Sequence, residues 1–149
     1  MNKRGVTLLE LIIVMVIIAI GSLALAPNIG SWISNYRLRS ATRDVASILR
    51  TAQAKAVSSN LMYGVGFDAN SCQLYRSSGG LSPEGGEIRL PTGIQFNNNT
   101  FQVNPDLGKP FAQFNTDSTS GTGGVTLRNT KGSQKRITLT TSTGRIKID

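Results

Sequence analysis

Residues 6–26 read VTLLELIIVMVIIAIGSLALA, and this stretch decides how the chain is organised. Almost every one of these residues is apolar. As a helix rising about 1.5 Å per residue, the run would extend about 31 Å, which matches the hydrocarbon thickness of a bilayer. A short basic stretch with Lys3 and Arg4 precedes it and favours a cytoplasmic position for that end. The sequence therefore predicts one membrane span, with the rest of the chain outside the inner membrane.

The junction between the basic stretch and the apolar run contains one glycine, Gly5. A secretory signal peptide is cut after a shorter apolar region, whereas a cut after Gly5 would remove the charges and keep the helix. Val6 would then become the N-terminal residue and Glu10 would lie inside the span. Because a carboxylate in lipid usually has a partner, we expect Glu10 to pair with the protonated α-amino group of an incoming or adjacent subunit. The alternative is a glutamate tolerated near the bilayer interface.

The run Arg4-Gly5-Val6-Thr7-Leu8-Leu9-Glu10-Leu11 resembles the class III prepilin signal of type IV pilins and pseudopilins. That signal has a basic leader, Gly, an N-methylated residue that is usually Phe, and then Thr-Leu-x-Glu; Val6 stands where Phe is usual. The resemblance implies cleavage by prepilin peptidase after Gly5, methylation of Val6, and assembly with other pilin or pseudopilin subunits at an inner-membrane platform. A membrane protein unrelated to pili would require this match to be accidental.

The segment after the span has apolar residues at helical spacing, which predicts one stripe facing a core. The stripe comprises Leu38, Ala41, Val45, Ile48, Leu49, Ala52 and Ala56. Arg39, Arg43 and Arg50 recur on another face, which is either an ordinary solvated face or one that meets acidic groups on adjacent subunits. Gly21, Pro27 and Gly30 predict a bend or a locally melted stretch over residues 21–30, or simply the end of the span.

Past residue 60 the pattern changes to short strands separated by turn residues. Strands are predicted at 61–67, 73–76, 87–90, 94–96 and 111–114, followed by a three-strand meander at 125–129, 136–140 and 145–148. Residues 97–124 are expected to be rich in loops. The predicted fold class is α+β: a long N-terminal helix, transmembrane in its first half and amphipathic in its second, packed on small antiparallel β-sheets. We divide the chain into a leader at 1–5, a transmembrane and assembly helix at 6–30, and a globular head at 31–149.

Residues 44–60, the terminal hairpin and Gly144-Arg145-Ile146-Lys147-Ile148 resemble the GspH/FimT group of minor pilins and pseudopilins. The resemblance implies a pilin-like head and a minor subunit of a type IV pilus or a type II secretion filament. It also implies an inner-membrane location with the head in the periplasm before assembly, and a place in the pilus or pseudopilus afterwards.

Basic residues are concentrated at the C-terminal end: Arg128, Lys131, Lys135, Arg136, Arg145 and Lys147, against Asp149 alone. Such clusters supply sequence-independent phosphate contacts. Some members of the FimT branch are linked to DNA uptake through Gly-Arg-x-Arg, and residues 144–147 match it with Lys in the last place. The alternative function is therefore a pilus-associated receptor for double-stranded DNA. The competing interpretation is a solvated edge strand whose lysines prevent sheets from aggregating.

The remaining composition argues against an enzyme. The chain has no histidine and one cysteine, so a His/Cys metal site and an intrachain disulfide are excluded, and no cofactor is implied. Cys72 is expected to be a small, semi-buried side chain. Gly64-x-Gly66-x-x-Ala69 mimics a dinucleotide fingerprint, but it lies in a predicted strand with no helix after it, which argues against a dinucleotide site. The net charge of +8 favours acidic partners without choosing among phosphate, anionic lipid and an acidic neighbouring subunit.

Overall fold

The computed structural model describes residues 6–149, apart from the side chains of residues 23–28. The predicted leader and the predicted cleavage site at Gly5 lie outside the described residues. The chain forms two compact units, one ending at Ile33 and the other comprising Ser34–Asp149. One helix, α1 (Leu8–Ser59), contributes to both. Its helical backbone continues through residues 21–30, so the expectation of a locally melted stretch there is wrong.

Ten strands follow the helix. They are β1 (Tyr63–Phe67), β2 (Ser71–Ser77), β3 (Leu81–Pro83), β4 (Ile88–Arg89), β5 (Ile94–Asn99), β6 (Val103–Asn104), β7 (Lys109–Phe114), β8 (Gly123–Asn129), β9 (Gln134–Thr140) and β10 (Arg145–Ile148). Each predicted strand is present. The short strands β3 and β6 were not predicted, and β6 lies in the region that was expected to be loop-rich.

The strands form two antiparallel sheets. The first has the order β3-β2-β1-β7-β6, with β4 pairing the start of β2. The second has the order β10-β9-β8-β5, so the predicted terminal meander forms three adjacent strands, β8, β9 and β10. The α+β class, a long helix packed on antiparallel sheets, is confirmed.

One hydrophobic core joins the helix to both sheets. All seven residues of the predicted helical stripe are buried, and Leu49 is fully enclosed. The same core takes in Val65 of β1, Phe114 of β7 and Ile137 of β9. At about 25 cal/mol per Å² of apolar area removed from water, this shared burial is the main force holding the helix against the sheets.

The glycine pattern in β1 has a packing explanation. A Cβ on Gly64 would lie 2.2 Å from the ring of Phe111, and one on Gly66 would lie 2.9 Å from the ring of Tyr75. These rings come from the strands on either side of β1. Gly64 and Gly66 therefore make room for aromatic side chains of neighbouring strands.

Candidate assembly and binding surfaces

The start of α1 is held by a side-chain cap. The hydroxyl oxygen of Thr7 accepts a hydrogen bond from the backbone N–H of Glu10 at 3.3 Å. This is one half of a capping box, in which a Thr satisfies a free N–H of the first helical turn. Thr7-x-x-Glu10 is itself a sequence signal for such a cap. The cap places the Glu10 carboxylate in the first turn, where a negative charge is favourable.

The N-terminal part of α1 exposes an apolar surface. Large apolar side chains are exposed from Val6, at 72%, through to Ile20, at 65%. Soluble monomers rarely expose a continuous apolar patch larger than a few hundred Å². Glu10 lies on this surface and makes no ion pair with any residue that the structure describes. The surface is therefore built to be covered, either by lipid or by other protein.

Among the described residues, no helix combines the length and the apolar character required to cross a membrane. The single span at residues 6–30 stays a prediction.

The predicted DNA-binding residues separate into two groups. Alternation along the strands of the second sheet places Arg128, Arg136, Arg145 and Lys147 on its outer face, opposite the buried side chains, and all four are exposed. We call these four residues the outer basic face. Lys131 lies in the turn between β8 and β9.

Lys135 lies elsewhere. Along β9 it lies on the same side of the sheet as Ile137 and Leu139, which are both buried. The residue that pairs with it on β8, Leu127, is also buried. Lys135 is therefore half-buried on the side of the sheet that faces α1, where it lines a groove together with Arg39 and Arg43. Of the six basic residues that cluster in the sequence, four lie on the outer face of the sheet, Lys135 lies on the side that faces α1, and Lys131 lies in the turn.

One charge of the outer basic face is already paired. The ammonium of Lys147 lies 2.6 Å from the carboxylate of Asp149, two residues further along the same face. Arg128, Arg136 and Arg145 make no ion pair within the described part of the chain. An anion approaching this face would meet three guanidinium groups that no carboxylate occupies.

Gly144, at the start of the basic motif, has a structural role. Its φ of +58° belongs to the left-handed region that favours glycine. A Cβ there would lie 2.3 Å from the carbonyl oxygen of Ser118 and 2.5 Å from the amide nitrogen of Gln53 on α1. The backbone therefore needs glycine at this position whether or not the following basic residues bind anything.

A carboxylate that the sequence analysis did not single out ties a loop to the helix. Glu84 accepts hydrogen bonds from the ammonium of Lys55 on α1 and, at 3.0 Å, from the hydroxyl of Tyr63 on β1. The bond from Lys55, and then the one from Tyr63, hold the pKa of Glu84 below its ordinary value, while Glu84 raises the pKa of Lys55. No local pattern identifies this contact, because its residues lie 21 and 29 positions apart.

Cys72 is fully buried, more deeply than the predicted semi-buried position, and burial raises the pKa of its thiol to about 12. Within the described residues, no group of three His, Cys, Asp or Glu side chains is placed to hold a metal ion.

A helix with an uncovered apolar N-terminal half, followed by a head in which the same helix packs on two antiparallel sheets, defines a pilin-like subunit. Comparison with known proteins identifies the family. Residues 41–144 match the family described as type II transport protein GspH, and residues 1–26 match the prokaryotic N-terminal methylation motif. The chain belongs to the GspH family, and it is a minor pilin or pseudopilin subunit of the type IV pilus or type II secretion class.

Solved structures share the fold at low sequence identity. The minor pseudopilin EpsH of the Vibrio cholerae type 2 secretion system superposes with a TM-score of 0.63 at 12% identity, covering 76% of this chain and 96% of its own. GspH of Escherichia coli gives 0.61 at 13%, covering 77% and 89%. The type IV minor pilin FimU of Pseudomonas aeruginosa gives 0.58 at 13%, covering 79% and 92%. No curated protein matches the sequence.

Proposed function

We propose that this chain is a minor filament subunit that enters a pilus or pseudopilus through the exposed apolar half of α1. Before assembly, residues 6–30 would anchor the chain in the inner membrane with the head in the periplasm. Prepilin peptidase would cut after Gly5 and methylate the new N-terminus at Val6, and an inner-membrane platform would pass the chain into the filament. The observation that carries the proposal is the uncovered apolar surface from Val6 to Ile20.

In this proposal, Glu10 fixes the position of the subunit relative to its neighbour in the filament. An isolated carboxylate in lipid costs a few kcal/mol, and Glu10 makes no ion pair within the described chain. The electrostatic attraction to a protonated amine about 4 Å away would contribute about 4 kcal/mol at an effective dielectric constant of 20, which offsets this cost. The α-amino group of Val6 on a neighbouring subunit, exposed by the cut after Gly5, is the amine the proposal requires.

The test replaces Glu10 with glutamine, which keeps the shape of the side chain and removes its charge. We expect Glu10→Gln to insert into the membrane like the unaltered chain but to be lost from purified filaments. Asp106→Asn is the matched control, because Asp106 is an exposed carboxylate in the turn between β6 and β7 and makes no ion pair within the described residues. Filaments containing normal amounts of the Glu10 variant would contradict the proposal.

Processing at Gly5 has a separate test. Mass spectrometry of the chain from cells with an active prepilin peptidase should show Val6 as the methylated N-terminus. Retention of residues 1–5 in the membrane-extracted protein would count against entry into any filament.

A second candidate function, a receptor for double-stranded DNA, is favoured by one observation. The outer basic face gathers Arg128, Arg136, Arg145 and Lys147 on one side of one sheet. If all four met phosphates, the logarithm of the binding constant would fall with the logarithm of salt concentration with a slope of about −3.6. The segment from β8 to β10 has no aromatic side chain for stacking on bases, which favours duplex over single strands.

The DNA test uses residues 34–149, which contain every buried hydrophobic side chain of the described chain. A circular dichroism spectrum first establishes that the fragment is folded. Replacing Arg145 and Lys147 with glutamate should abolish a gel shift of duplex DNA at low salt. Lys135→Glu, the same charge change on the opposite side of the sheet, should leave most of the shift. Absence of a shift by the unaltered fragment at low salt would eliminate this function.

A further inference from the structure

A second group of basic side chains lies in a groove between α1 and the end of the second sheet. The groove is lined by Arg39, Thr42 and Arg43 from the helix, Lys135 from β9 and Ile148 from β10. We call it the arginine groove. Lys135 lies on the same side of β9 as the buried Ile137, which is the side that faces the helix. The arginine groove is therefore separate from the outer basic face.

The three charges in the arginine groove are not compensated within the described chain. None of Arg39, Arg43 and Lys135 lies within ion-pair distance of a described carboxylate. Arg39 and Arg43 are four residues apart on one helix, which brings their Cβ atoms to about 5–6 Å and makes their like charges repel. Thr42, between them in the sequence, is uncharged, and its hydroxyl donates a hydrogen bond to the backbone oxygen of Leu38 at 2.7 Å. The like charges of the groove repel one another, and an anion from outside would relieve that repulsion.

The size of the groove and the spacing of its charges favour small anionic groups such as carboxylates. The groove has a volume of roughly 280 Å³. That space accommodates one or two side chains. Two guanidinium groups one helical turn apart suit carboxylates, each of which a guanidinium can bind with two parallel hydrogen bonds. Ile148, 39% exposed, adds an apolar wall for the methylene groups of a glutamate.

We propose that the arginine groove binds carboxylate side chains of an acidic segment on a neighbouring filament subunit. The proposal rests on the proposed function, because it names the chemistry of the partner that this subunit meets in the filament. It also assigns the arginine face of α1: Arg39 and Arg43 belong to an intersubunit contact, whereas Arg50, which does not line the groove, belongs to the solvated part of the helix.

The binding test uses the full chain in detergent micelles and a fluorescein-labelled decaglutamate peptide, followed by anisotropy at low salt. Replacing Arg39 and Arg43 together with alanine should weaken binding at least tenfold, and Lys135→Ala should weaken it several-fold. Arg50→Ala is the matched control and should change the affinity less than twofold. These side chains are exposed or half-buried, and circular dichroism of each variant establishes that it remains folded.

Three results would overturn the proposal. The first is an affinity for decaglutamate that the groove substitutions leave unchanged, and the second is an equal loss in the Arg50 control. The third is duplex DNA that binds through Arg39, Arg43 and Lys135 in preference to the peptide, because the groove would then be a phosphate site.

The filament test separates this proposal from the proposed function. The double variant of Arg39 and Arg43 should be inserted and processed normally and be depleted from filaments at least fivefold. If the unaltered chain is found in filaments and Glu10→Gln is excluded, normal incorporation of the double variant overturns the groove proposal alone. If Glu10→Gln is incorporated normally, the proposed route of assembly fails, and the peptide titration still decides the groove.

Discussion

Gly144→Ala is the substitution whose cost can be worked out most directly from the structure. Gly144 has a φ of +58°, and holding an alanine in the left-handed region costs about 1–2 kcal/mol. The new Cβ would lie 2.3 Å from the backbone carbonyl oxygen of Ser118, so that loop or the start of β10 must shift. Forcing an extra methyl group into a packed site costs about 1–3 kcal/mol. We therefore expect a loss of about 3 kcal/mol in the free energy of unfolding.

The control for this prediction is Gly108→Ala. Gly108 has nearly the same φ, +64°, but nothing lies within 4 Å of the position that its Cβ would take. The free energy of unfolding of the control should therefore fall only by the cost of holding an alanine in the left-handed region, about 1–2 kcal/mol. The difference between the two variants isolates the contact of Gly144 with Ser118.

The assay is urea and thermal unfolding of residues 34–149, followed by circular dichroism. In a unit of this size, about 3 kcal/mol corresponds to a fall in melting temperature of roughly 12 °C. A loss for Gly144→Ala no larger than for Gly108→Ala would refute the reasoning. In that case the glycine of the Gly-Arg-Ile-Lys segment would not be required for packing, and its role would have to be sought in binding.

Three further predictions concern the head. Leu49→Ala should lower the free energy of unfolding by about 3 kcal/mol because Leu49 is fully buried, whereas Val57→Ala, exposed on the same helix, should cost less than about 0.5 kcal/mol by the same urea assay. Because the folded-state pKa of Glu84 is depressed, its stabilising contact with Lys55 is present above the ordinary glutamate pKa of about 4.3 and is lost as the pH falls through the folded pKa. Urea unfolding at pH 6 and pH 3 should therefore show a smaller acid-induced loss for Glu84→Gln than for the unaltered chain, and equal losses would contradict this. Cys72 should not react with iodoacetamide at pH 8 until urea unfolds the chain; rapid labelling of the native protein would contradict its burial.

The elements that could be predicted are those whose signals are local. The helical stripe from Leu38 to Ala56 follows from three-four spacing, which depends only on the pitch of a helix. Turn residues separate the strands of the terminal meander in the sequence itself. The N-terminal motif that contains Gly5, Val6 and Glu10 is also local, and residues 1–26 match the prokaryotic N-terminal methylation motif; the roles of the three residues stay predictions.

The elements that were missed depend on distant partners. β3 and β6 have three and two residues, too few to show a period, and they exist because β2 and β7 offer them an edge. Glu84 in a loop accepts hydrogen bonds from Lys55 on the helix and Tyr63 on a strand, and no spacing in the sequence predicts these contacts.

By itself, the sequence determined the long helix, its apolar N-terminal surface, the α+β class and the presence of a basic C-terminal region. Each depends on the order of neighbouring residues. Only the tertiary structure decided that Lys135 lies on the opposite side of the sheet from the outer basic face and lines a groove with Arg39 and Arg43. The physical reason is that a strand alternates its side chains between two environments, and the register with neighbouring strands and the packing of a distant helix decide which environment each charge meets.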